Sequence, residues 1–174
     1  MSRILQRAFL RIRENFGHTT SVTRFERGTT MNEEDTIKLL RECNAGIKMG
    51  VSSIDEVLPK VKDNALRGSL EKSRSAHGKL GDETHAMLAR YGDQGKEPSP
   101  VAKGMSWVKT NVMLTLEESD KTVADLITDG CNMGVKSLSR YLNQYEAAEE
   151  QAKDIAKRLI GLESHLIQDV QPYL

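Results

Sequence analysis

Apolar residues recur at steps of three and four in four separate stretches of this chain, a spacing that allows little besides amphipathic helices packed face to face. In the first stretch Ile37, Leu40, Asn44, Ile47, Val51, Ile54 and Leu58 share one helix face. Asn32 with Glu33, Glu34 and Asp35 supplies a cap and an acidic first turn, and Pro59 marks the end. After a turn at 60–63, the second helix carries Leu66, Leu70, Ser73, His77, Leu80, Thr84, Met87 and Tyr91 on its seam and stops at Gly92. Residues 92–100 form a loop rich in Gly, Pro and charge. It leads into a shorter amphipathic crossover segment with Val101, Met105, Val108 and Val112. Ser119 caps the third helix, with Val123, Ile127, Cys131, Val135, Leu138, Leu142 and Tyr145 on one face. A turn near Glu146 opens the fourth, which shows Ile155, Leu159, Ile160, Leu162, Leu166, Ile167 and Val170 and ends near Pro172. The spacing therefore predicts an all-α fold, an antiparallel four-helix bundle of two hairpins joined by a long crossover.

Composition agrees: 38% hydrophobic, 29% charged and only 5% aromatic residues, with no sheet-forming runs, fit amphipathic helices. At 174 residues one core is expected. The 25 basic and 25 acidic side chains cancel, which gives no reason to expect nucleic acid as a partner. Residues 1–30 depart from the average, with Arg3, Arg7, Arg11, Arg13, Arg24 and Arg27 against two Glu, a local charge of +4 that leaves the body at −4. An Arg-rich, acid-poor start of this kind serves as a transit peptide, a surface anchor or a docking tail. The alternative is a true start at Met31, since Glu26-Arg27-Gly28 is what a purine-rich ribosome-binding sequence encodes when read through. The division expected is thus an extension at 1–30 and a bundle at 31–174. No run approaches the ~18 apolar residues of a membrane span, so a soluble protein is expected. Cys43 and Cys131 lie inside helical periodicity rather than in a disulfide framework, which makes the reducing cytoplasm the expected location.

The chain also repeats itself. Cys43-Asn44-Ala45-Gly46-Ile47-Lys48 recurs as Cys131-Asn132-Met133-Gly134-Val135-Lys136, and Leu80-Gly81-Asp82-Glu83-Thr84-His85 recurs as Ile160-Gly161-Leu162-Glu163-Ser164-His165. A duplicated hairpin accounts for both, the second copy shorter by about a turn on each helix. Positions three and four away share a face, and around Glu163 these are Leu159, Ile160, Leu166 and Ile167, so this carboxylate is expected inside. Glu83 has Leu80, Ala86 and Met87 but also Lys79. Cys43 and Cys131 both look inward, each one turn before a glycine. Matched inward carboxylates need a hydrogen-bond partner, a shared proton or a metal, or else they sit at the bundle edge beside Lys. Glu83, Glu163, Cys43 and Cys131 are accordingly the candidate metal ligands, a set that suits zinc or iron. The other reading of the thiols is small core residues beside Gly46 and Gly134. His77 is expected to be a satisfied core or edge histidine, and His85 and His165 surface residues.

These features resemble the ferritin-like bundles, and within them a bacterial family of unassigned activity built as a duplicated helical hairpin. The resemblance covers residues 33–174. It rests on the repeat, on Lys62-Asp63-Asn64-Ala65-Leu66 and on Gly104-Met105-Ser106-Trp107-Val108-Lys109. It implies a ferritin-like fold and, for one function class, handling of iron or another divalent metal or redox and stress protection. Ferritin-like di-metal sites take a Glu from each of two helices and Glu-x-x-His from each of the others. Here Cys43/Asn44 and Cys131/Asn132 stand at the former positions, and the latter read Glu83-x-His85 and Glu163-x-His165. A step of two residues turns such a pair to opposite sides of its helix. No phosphate loop, nucleophile triad or paired-cysteine zinc spacing occurs. The function expected first is therefore a non-catalytic bundle that self-associates or binds a protein partner.

Overall fold

The computed structural model describes residues 30–98 and 119–174. Four long helices make up almost all of them: α1 (Met31–Val57), α2 (Asn64–Arg90), α3 (Asp120–Gln144) and α4 (Glu150–Val170), with short 3-10 turns at Leu58–Lys60 and Gln171–Tyr173. The second hairpin is the shorter, 25 and 21 residues against 27 and 27. Among the described residues there is no strand, and no described helix is long and apolar enough to cross a membrane. The extension at 1–29 and the amphipathic crossover segment lie outside the described residues.

Helix ends are set by local chemistry. α1 starts two residues earlier than an Asn32 cap would set it, because Thr30 is the cap and makes a reciprocal capping box with Glu33. Asp63 caps α2 by accepting from Ala65 N and Leu66 N at 2.8 and 2.9 Å. Ser119 caps α3, as its sequence position predicts. α4 has no side-chain cap. Instead Glu149 N–H donates to Thr36 Oγ1 at 2.8 Å and Ala147 N–H to Asp35 Oδ2 at 3.1 Å, which ties the turn between α3 and α4 to the first turn of α1.

At the opposite end, the Asp120 carboxylate accepts from Lys62 N and Asp63 N at 2.7 and 3.0 Å, so α3 begins beside the start of α2. The end of α2 and the start of α3 therefore lie at opposite ends of the bundle, and α2 and α3 point the same way. α1 packs on α2 and α3, α4 packs on both as well, and α1 meets α4 across the diagonal. Tyr173 closes this end by donating its hydroxyl to Asp63 Oδ1 at 2.7 Å. That bond and the two cap bonds hold the Asp63 carboxyl below the usual carboxylate range. Asp63→Ala removes three hydrogen bonds at once and is expected to lower stability measurably. Urea denaturation checks it, and a loss no larger than for Ser164→Ala, whose hydroxyl only bonds back to Ile160 O within its own helix, would contradict the role.

The core is two apolar clusters, not one. The first joins Leu39, Leu40, Cys43 and Ile47 of α1 to Leu80, Met87 and Leu88 of α2, Leu138 of α3, and Ile155 and Leu159 of α4. The second joins Ile54 and Val57 of α1 to Leu66 and Leu70 of α2, Val123, Ile127 and Cys131 of α3, and Leu166 and Val170 of α4. The buried side chains that lie between the clusters along the helices, Ser73, His77 and Glu163, are all polar.

Candidate functional site: a polar layer between the two cores

Side-chain contacts define the height of these polar residues. On the α1–α2 side, a Cβ added to Gly50 would stand 2.9 Å from His77 Nε2, so the imidazole lies in the space the glycine leaves. On the α3–α4 side, a Cβ at Gly134 would stand 2.1 Å from Glu163 Oε2, so the carboxyl fills the corresponding notch. The two pairs share one layer. Glu83 meets Arg158 and Arg90 meets Gln151 across α2 and α4, a register that brings His77 level with Ser164, the neighbour of Glu163. Thr36 meets Glu149 and Gly46 faces Leu159 across α1 and α4, the same stagger that brings Gly50 level with Glu163.

Both polar side chains are nearly sealed off, His77 at 1% and Glu163 at 5% exposure. His77 Nδ1 lies 2.9 Å from Ser73 O, which makes it the protonated nitrogen and leaves Nε2 as a bare acceptor with no partner. Burial lowers the imidazole pKa, so the ring is neutral at pH 7. Glu163 Oε2 likewise has no hydrogen-bond partner. Desolvation pushes the Glu163 carboxyl up to about 8, so at neutral pH it is mostly the uncharged acid.

The sequence-predicted ligands separate in space. Glu163, Cys43 and Cys131 are inside as expected, and burial, aided by the carboxyl of Glu163, pushes both thiols up to about 12. Glu83 is at the bundle edge, its side chain 40% exposed and paired with Arg158 at 2.8 Å. Of the partners that a Glu83/Glu163 pair requires, Glu83 takes a cation on the neighbouring helix and Glu163 takes none. Among the described residues no three His, Cys, Asp or Glu side chains group where one ion could be held. Glu163, Cys43 and Cys131 each keep a proton at pH 7 in the metal-free protein, so a cation bound there would have to displace those protons. His85 is exposed, and the side chain of His165 is 62% exposed, 3.8 Å from Asp169, as expected for surface residues.

Reading from sequence identified His77 and Glu163 as inward but missed the layer. The signal that could have found it is Gly50, an inward-facing helical glycine with no turn to explain it. It also missed how the loop after α2 returns along α1: Arg41 pairs with Asp93, Asn44 Nδ2 donates to Lys96 O at 3.0 Å, Lys96 pairs with Glu42 at 2.7 Å, and Lys48 pairs with Glu97. Beyond that loop the outer face of α1 holds an open depression of about 470 Å³ lined by Ile47, Lys48, Val51, Ser52, Asp55 and Glu56.

No protein-family model, curated protein or solved structure matches the chain.

Proposed function

We propose that this protein is a ferritin-like helical bundle without catalytic activity, which works by self-association through the outer face of α1. The start of α3 beside the start of α2 supports the ferritin-like reading, because that placement requires the end-to-end crossover of such bundles. The observation that carries the binding function is the depression on α1. Ile47 and Val51 give it an apolar floor, with Lys48 at one end of the stripe and Asp55 and Glu56 at the other. A two-fold axis near Val51 and Ser52 sets this stripe antiparallel against itself, apolar floor on apolar floor, while Lys48 and Asp55 keep their partners Glu97 and Arg74 within each copy. A chain of zero formal net charge adds no long-range repulsion between copies.

Val51→Arg places a cation on the apolar floor without touching the bundle core, since Val51 is only half-buried. The native protein is expected to sediment as a dimer across a dilution series in the micromolar range, and the Val51→Arg variant as a monomer with unchanged helical content. A photo-crosslinker at Val51 is expected to join two copies. A native protein that stays monomeric throughout, or a crosslink that forms only within one chain to residues 99–118, overturns the reading.

A further inference from the structure

The outer face of α1 carries a row of charges. Arg41, Lys48 and Asp55 follow one another at seven-residue intervals, and seven residues come within about 20° of two full helical turns, so the three share one flank of the helix. Each already holds an opposite charge from outside α1: Arg41 pairs with Asp93, Lys48 with Glu97, and Asp55 with Arg74 of α2 at 2.6 Å. The last two pairs stand at the two ends of the depression, and their polarity is reversed. At one end the helix supplies the cation and the loop after α2 the anion; at the other the helix supplies the anion and α2 the cation. Their side chains remain 35–67% exposed, so both pairs can still meet a second surface.

Glu97 is set in place before any docking. The loop that bears it is fastened to α1 by Asn44, 1% exposed, whose Nδ2 donates to Lys96 O at 3.0 Å. Gly95 makes this close approach possible. Its φ of 84° lies in the left-handed region, and a Cβ there would stand 2.6 Å from Asn44 Nδ2. On either side of the fastening, Asp93 Oδ1 accepts from Gly95 N at 2.7 Å and Lys96 pairs with Glu42 at 2.7 Å. A charge positioned in this way gives up little loop freedom when a partner arrives.

A two-fold axis that lies in the plane of contact and crosses α1 at right angles reverses the helix but leaves each flank on its own side. With the axis between Val51 and Ser52, position 48 of one copy comes opposite position 55 of the other. The Lys48–Glu97 pair then meets an Asp55–Arg74 pair of opposite polarity. On the premise that α1 self-associates, we infer that the loop after α2 is the second half of the association face: Glu97 of each copy binds Arg74 of the other. Lys48 lies against Asp55 beside that contact, so a ring of four alternating charges closes each end of the apolar floor. The rings fix the register. An axis through Lys48 would bring two lysines together and one through Asp55 two aspartates, which like-charge repulsion disfavours.

The experiment follows dimerisation by sedimentation over a dilution series for native protein, Glu97→Arg, Arg74→Glu and an equimolar mixture of the two variants. Both changes fall on exposed side chains, so circular dichroism is expected to show unchanged helical content. Each variant alone sets like charges opposite one another in both rings and is expected to dimerise about tenfold more weakly than native protein. In the mixture, a Glu97→Arg copy docked on an Arg74→Glu copy meets opposite charges in both rings, although one ion pair within each copy stays broken. Its dissociation constant is expected to return to within about threefold of the native value. A mixture no tighter than the separate variants, or variants as tight as native protein, overturns the Glu97–Arg74 contact and leaves the apolar floor of α1 standing. A native protein that never dimerises overturns the association reading and this contact together.

Discussion

Gly134→Ala is expected to forfeit the ~1 kcal/mol that alanine gains as the better helix former, because the added methyl evicts the carboxyl end of Glu163 from its notch. The added methyl would stand 2.1 and 2.5 Å from the two carboxyl oxygens of Glu163 and 2.6 Å from Cδ. Either α3 retreats from α4 or the acid leaves its notch, and each route gives up packing around the layer. Gly130, on the same helix, is the control. A Cβ there meets nothing within 4 Å, so Gly130→Ala is expected to gain stability at the scale of helix propensity. Shortening the acid should undo the damage. In the double variant Gly134→Ala/Glu163→Ala the methyl enters vacated space, and a double-mutant cycle by thermal denaturation is expected to show coupling of about 1 kcal/mol or more. Additive effects would mean that the notch is not what holds Glu163.

Leu159→Ala is expected to be the most damaging truncation among the described core positions, at about 2–5 kcal/mol. Leu159 is fully buried within the first cluster, and its Cδ2 comes within 3.8 Å of the place a Cβ on Gly46 would occupy. That glycine lets α1 and α4 approach across the bundle diagonal, so no side chain stands opposite to relax into the hole. For a body of this size such a loss lowers the melting temperature by roughly 10 °C. Leu162, three residues on and only half-buried, is the comparison. A loss at Leu159 no greater than at Leu162 would sink the diagonal-packing argument.

Much of the fold is legible in the spacing of apolar residues, because a helix buries a fixed stripe. Every position from Leu66 to Met87 on the predicted seam of α2 is buried, the polar Ser73, His77 and Thr84 included. α1 is less well read. Ile37, Val51 and Leu58 are only half-buried, while Leu39, Cys43 and Val57 are inside. The reason is that α1 touches three helices rather than two, so its buried face is wider than one stripe. At the candidate site, the burial of Glu163 followed from its four apolar neighbours. Glu83 could not be placed the same way, because its fate depends on Arg158, a residue of another helix 75 positions away that no local pattern reveals. Gly50 was overlooked for a related reason: an inward glycine has meaning only once the side chain opposite it is known.

The polar layer also bears on how the four helices find their alignment. Apolar stripes of leucine, isoleucine and valine are nearly interchangeable from one turn to the next, and a helix sliding along such a stripe would lose little. His77 and Glu163 are different, since each rests against a helical glycine. A slip of one turn toward the carboxyl ends of α1 and α3 would set the imidazole against Ile54 in place of Gly50 and the carboxyl against Leu138 in place of Gly134, without room for either, whereas a slip the other way meets Gly46 and Gly130. The layer thus works like a stop on a smooth shaft: it blocks axial slip in the direction that would drive the two polar side chains onto Ile54 and Leu138.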